Sequence, residues 1–238
     1  MEFIIMKHIT ETHIERLYSF TEQHYVEFYD LQTELVDHLA NDIEAIWEQN
    51  PQLSFEEARD QSFKKFGIFG FMEVVEQRQK AMNKRYYKYL WQELKTWFGI
   101  PKILATLALI CALYTLFSIP FGNYWLVAIY AIIVVCSFYS MVKLSRSYRQ
   151  RKAVSSKKWL LEDIIFKQAG GIGFALISQV PSLYNFSDEL LNSFYSILII
   201  SLVTSAFILF SFISFYLLPN KAESLLKETY PEFEAVNL

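Results

Sequence analysis

The chain has 238 residues, 53% of them hydrophobic and 20% charged, with a formal net charge of −3 and a mean hydropathy of +0.19; that is too apolar for an ordinary soluble domain. Residues 1–58 carry 13 acidic against 2 basic side chains, a balance that repels phosphate backbones and excludes direct nucleic-acid binding by this part. The two cysteines, Cys111 and Cys136, both fall in apolar segments, so no disulfide framework or zinc knuckle is available.

The opening MEFIIMKHITETH has too short an apolar run for a signal peptide and lacks a basic leader and a small-residue cleavage site; Met6 is an alternative start. No sustained two-residue alternation occurs in residues 7–98, whereas helical spacing recurs. A first helix is expected over Thr10–Tyr25. A second, over Val26–Trp47, places Phe28, Leu31, Leu35, Leu39, Ile43 and Ile46 on one face. Ser54 and Glu57 form a capping box that starts a third helix over 55–66, closed at Gly67 by a left-handed cap. After Gly70 a last helix begins and is expected to run on toward the first membrane span.

Four membrane spans follow, at about 100–119, 124–142, 169–186 and 194–218, judged by the roughly 20 apolar residues that a bilayer core requires. The first, ILATLALICALYTLFSI, is short and is expected to extend back past Lys102 to Ile100. The segment 143–158 holds seven basic residues and no acid, and 78–95 holds six basic residues and one acid. The loops PFGN and SLYNFSDELLN hold none. Basic residues accumulate on the cytoplasmic side, so both termini are expected in the cytoplasm. KKWLLEDIIFKQ, before the third span, reads as an amphipathic stretch resting at the interface.

The expected fold is therefore all-α. It comprises a cytoplasmic helical domain of three to four helices over 1–98, a four-helix transmembrane bundle over 99–219 and a cytoplasmic tail over 220–238. Ala169, Gly171, Gly173 and Ala175 make two small-xxx-small pairs for close helix packing, within the bundle or in a homo-oligomer.

Candidate chemistry centres on ELVDHLANDIE. Glu27, Asp30, Glu34, Asp37 and Glu44 line one acidic stripe suited to a protein partner. His38 lies at the edge of the apolar face with Asp42 at i+4, a candidate pH-sensitive pair. A zinc site would need more His or Cys ligands. Nothing resembles a His-Glu-x-x-His, Gly-x-Ser-x-Gly or Walker sequence, so no catalytic residue, metal ligand or cofactor is assigned and no enzyme activity is expected. Lys84, Arg85, Lys88 and Trp91, with Arg149, Arg151 and Lys152, suit the anionic inner leaflet.

Glu34–Gln77 resembles the small helical HAAS domain and the related permease prefix domain. The matching residues are Leu35, Asp37, His38 and Leu39, then Ser54, Glu56, Glu57 and Ala58, then Phe66 and Gly67, so the likeness covers 44 of 238 residues. Where the family commonly has Asp-Pro after the aromatic-Gly step, this chain has IFGF. The resemblance implies a bacterial, membrane-anchored regulatory protein, of a kind found beside PadR-type transcription regulators or leading into transporter membrane domains. A small oligomeric transporter or channel is the competing reading, and a sensor centred on His38 a third.

Overall fold

The computed structural model describes residues 7–154, 157–167 and 191–236, and every regular element among them is helical. The chain divides into two compact units. The first comprises residues up to Asn83 together with 156–160; the second comprises Lys84–Ser155 and the chain from Leu161 onward.

In the first unit, α1 spans Glu11–Gln23 and is closed by a capping box. The His13 N–H donates to Thr10 Oγ at 3.4 Å and the Thr10 N–H donates to His13 Nδ1 at 3.3 Å. Burial first, then the nearby Arg16, holds the His13 imidazole below its ordinary value, consistent with its acceptor role in the cap. Helix α2 spans Tyr29–Gln49 and starts later than the expected Val26. Phe28, at its N-cap, has no side-chain oxygen to offer the exposed first-turn amides. The substitute comes from 130 residues away. The Tyr29 N–H donates to the Lys158 carbonyl at 2.7 Å, and the Asp30 carboxylate accepts from the Leu160 N–H at 3.1 Å.

Helix α3, Phe55–Lys64, carries the expected Ser54 capping box: the Glu57 N–H donates to Ser54 Oγ and the Ser54 N–H to Glu57 Oε2. Two glycines with positive φ, Gly67 at +78° and Gly70 at +55°, then turn the chain into α4, Met72–Lys95. The unit's core joins Leu17 and Phe20 of α1 with Leu31, Leu35, Leu39 and Ile43 of α2 and Ala58 of α3. Each large aliphatic among them contributes about 1.5–3 kcal/mol by leaving water. A second layer is aromatic: Phe63 lies 5.2 Å from Phe20 and 4.9 Å from Phe71.

The second unit takes α4 from Lys84 onward, a 3₁₀ turn at Thr96–Phe98, α5 at Lys102–Ser118 and α6 at Gly122–Val154. Residues 160–167 are helical (α7) and belong to this unit from Leu161. Helix α8, Phe194–Phe212, continues through a π-helical stretch, Ile213–Leu217, into α9 (Leu218–Asn220), and α10 (Ala222–Thr229) and α11 (Phe233–Val236) follow. Leu113 and Phe117 of α5 pack with Leu126, Tyr130 and Ile133 of α6, flanked by Ile197, Ile200 and Phe207 of α8.

Gly122–Ala153 and Phe194–Asn220 are each long and apolar enough to cross a membrane. Met72–Phe98 with Lys102–Ser118 makes a third only as a pair bent by 85°. The expected run of α4 into the first span does not occur, nor does that span reach back to Ile100. Pro101 disfavours helical backbone at the residue before it, and α5 begins at Lys102. The basic run that starts at Lys143 is helical up to Val154, as the end of α6. The C-terminal residues are packed: Ala222, Leu226 and Tyr230 are buried, and the Tyr230 hydroxyl accepts from the Leu161 N–H at 3.2 Å. The third expected span, 169–186, lies outside the described residues, and with it Ala169, Gly171, Gly173 and Ala175.

Candidate functional site

The acidic stripe begins at Glu27, just before α2, and continues along one side of that helix from Asp30 to Glu44; the fold gives most of its carboxylates an internal partner. Glu27 pairs with Lys158 at 2.8 Å and Asp30 caps the backbone at Leu160. Glu34 pairs with Arg78 of α4, and Glu44 accepts from the Ile9 N–H at 2.9 Å and lies 3.6 Å from His8. Asp37 remains exposed. The stripe is thus mainly a set of fasteners for the His8–Ile9 segment before α1, for α4 and for the 157–160 segment, and its open part is centred on Asp37.

His38 is exposed and borders a cavity of about 300 Å³ lined by Glu34, Leu35, Asp42, Ser62, Lys65 and Val74 among others. Asp42 does not turn to His38. Its carboxylate accepts from Ser62 Oγ at 2.9 Å and from Lys65 Nζ at 2.8 Å, because α3 brings both within reach. Burial pushes the Asp42 carboxyl up, but the hydrogen bonds from Lys65 and Ser62, the Lys65 charge and His38 outweigh it and hold it below its ordinary value. A depressed carboxyl stabilises the folded state above its unfolded value of 3.8, and that stabilisation is lost as the pH falls through the lower folded value. Asp42→Ala strips the acceptor from the buried Ser62 hydroxyl, for an expected loss of about 1–2 kcal/mol at pH 7. The variant's stability also falls less steeply on acidification below pH 4. Urea unfolding of the full chain in detergent at several pH values reads both, and parallel pH curves for the two proteins would contradict the assignment.

A surface that sequence patterning missed lies between α3 and α4. Ile68 is 99% exposed, Phe69 76% and Met72 57%. Ile68 and Phe69 sit on the turn held by Gly67 and Gly70 and Met72 opens α4, so together they form an apolar tip at the turn. Two apolar residues enclosed by turn glycines are the local sign of it.

In the second unit, the latter part of α4 has two faces. Tyr86, Tyr89 and Leu90 are buried, while Lys84, Tyr87, Lys88, Trp91 and Lys95 are exposed at spacings of three and four. Arg85, between them, donates to the Tyr89 hydroxyl at 3.1 Å. The exposed face pairs ammonium groups with amphipathic rings, a composition suited to a headgroup layer. On α6, Arg149 and Lys152 are exposed, with Lys152 placed over Tyr148 at 5.7 Å. Arg151 faces α7, where Glu162 lies 3.4 Å away. Burial pushes the Glu162 carboxyl above its ordinary value against the pull of Arg151. The amphipathic stretch expected at the interface is largely packed: Leu161, Ile164, Ile165 and Phe166 are all buried, and Asp163 accepts from the Tyr148 hydroxyl at 2.8 Å.

Among the described residues no group of three or more His, Cys, Asp or Glu side chains is placed to hold a metal ion. No protein-family model, curated protein sequence or solved structure matches the chain.

Proposed function

We propose that the chain is a regulatory integral membrane protein, not an enzyme. In this reading it has four spans in a bacterial plasma membrane and both termini in the cytoplasm. The first unit is a HAAS-like protein-interaction module, and the exposed basic aromatic face of α4 rests on the anionic inner leaflet. The observation that carries the reading is the composition of the first unit. Residues 157–160, which follow the membrane-capable helix α6 in the chain, supply amide and carbonyl partners to the first turn of α2. A protein that binds the first unit therefore acts on the segment that leads into α7. Asp37 and the Ile68–Phe69–Met72 tip are the surfaces offered to such a partner, and a PadR-type regulator is the class implied by the resemblance.

The test is crosslinking in native membranes with three forms of the full chain. They are the wild type, an Ile68→Ser/Phe69→Ser variant, and a variant with Asp30, Glu34, Asp37 and Glu44 changed to amides. The expected result is a cytoplasmic protein captured by the wild type and lost from the tip variant. Identical captures from all three, together with ion or solute flux in liposomes above empty vesicles, would overturn the reading in favour of transport.

A further inference from the structure

In the second unit a groove of about 750 Å³ lies between α6 and the α8–π segment. Its walls change character along α6. One end is hydrocarbon-like, with Ile129, Ile132 and Ile133 facing Ile208 and Phe212; the other presents Lys143 and Arg151. Ile129 and Lys143 are 14 residues apart in one helix, which is about 21 Å at 1.5 Å per residue. Lys143 is the first charged residue after the apolar stretch that began at Tyr124, so it lies at headgroup depth if α6 crosses the bilayer.

Three further observations mark the groove as a place for a ligand with a polar head. Among the described residues Lys143 has no carboxylate partner. The Ser211 hydroxyl lines the groove, is buried, and has no hydrogen-bond partner among the described residues; an unpaired buried hydroxyl is costly. The far wall, with Phe215 and Tyr216, falls in the π-helical stretch Ile213–Leu217, and such insertions recur at functional sites.

We infer that this groove is a binding site for one anionic phospholipid, its acyl chain lying along Ile129–Ile133 and its phosphate held by Lys143 and Arg151. Charge complementarity selects this occupant. A zwitterionic lipid would bring a third cation toward the two fixed ones, and an apolar helix would leave Lys143 and the Ser211 hydroxyl without a partner. Arg151 can turn to the phosphate because its protein partner, Glu162, is a half-buried carboxyl whose partial burial disfavours it as an anion. The inference rests on the reading of α6 and α8 as membrane helices, which alkaline carbonate extraction of membranes tests separately.

The experiment is native mass spectrometry of the full chain released from detergent, with phosphatidylglycerol or phosphatidylcholine added. The wild type is expected to retain one phosphatidylglycerol and to discriminate against phosphatidylcholine. Lys143→Ala weakens retention at least tenfold, Lys143→Arg restores it, and Arg146→Ala, which removes an exposed α6 charge that does not line the groove, leaves it unchanged. Cys136→Trp, which fills the apolar part of the groove, weakens it without touching a charge. A circular-dichroism melt checks that each variant is folded. Equal retention of both lipids, or an equal loss from Arg146→Ala and Lys143→Ala, would overturn the site in favour of diffuse surface charge. No lipid on the wild type would also overturn it and would assign the groove to another part of the chain or to a second copy.

Discussion

Trp159→Ala is expected to destabilise the first unit by about 3–5 kcal/mol, the range for truncating a buried tryptophan. The indole is 1% exposed and meets Tyr29 with ring centroids 5.4 Å apart, near edge-on at 76°. Its loss reaches further than a cavity, because the residues on either side supply what the start of α2 lacks. Lys158 gives its carbonyl to the Tyr29 N–H, Leu160 gives its N–H to Asp30, and the Lys157 ammonium lies 3.7 Å over the Tyr29 ring. Without the indole as anchor, the first turn of α2 frays and Tyr29–Gln32 lose protection. Hydrogen exchange on the full chain in detergent reads this peptide by peptide. Lys158→Ala is the comparison. It removes the ion pair to a Glu27 side chain that is mostly exposed, worth at most about 1 kcal/mol. If Trp159→Ala leaves exchange in α2 unchanged, the 157–160 segment does not close the first unit, and the proposed coupling to α7 fails with it.

Gly122→Ala is expected to be as damaging in the second unit, at about 3 kcal/mol or more, for a backbone reason. A Cβ at this position would lie 2.2 Å from the Phe117 carbonyl oxygen and 2.8 Å from its carbon. Neither atom can swing aside as a side chain would, so the turn between α5 and α6 must open. Overpacking ordinarily costs 1–3 kcal/mol and more where nothing yields. The turn holds together Leu113 and Phe117 on one helix and Leu126, Tyr130 and Ile133 on the other, so opening it also loosens that cluster. Phe121→Gly, one residue earlier, should move stability the other way by up to about 1 kcal/mol. Phe121 has φ +68°, a conformation that glycine adopts without strain. Thermal unfolding in detergent compares the two. A Gly122→Ala protein as stable as the wild type would mean that the close approach at Phe117 is not needed.

The sequence by itself determined the helical starts that are written into neighbouring residues, and the apolar stretches. Ser54 with Glu57 marks α3, and the Gly67 and Gly70 positions punctuate the chain before α4, because caps and left-handed turns depend on three or four adjacent residues. Leu31, Leu35, Leu39 and Ile43 announce the buried face of α2 through their spacing. The membrane-capable α6 and α8 follow from composition, since each contains an uncharged apolar run long enough to cross a bilayer core. Only the tertiary structure decided where α2 begins, because its first-turn partners lie some 130 residues away and no local pattern records them. The same holds for Asp42, whose i+4 relation to His38 is real on the wheel but loses to Ser62 and Lys65 once α3 packs alongside. The acidic stripe looked open for the same reason: a periodic row of carboxylates shows which way they point, and the cations that meet them come from elsewhere in the chain. The groove on α6 is the furthest from sequence. It depends on two helices lying together and on a π-helical turn at Ile213–Leu217, and both are settled by packing that a one-dimensional pattern does not carry.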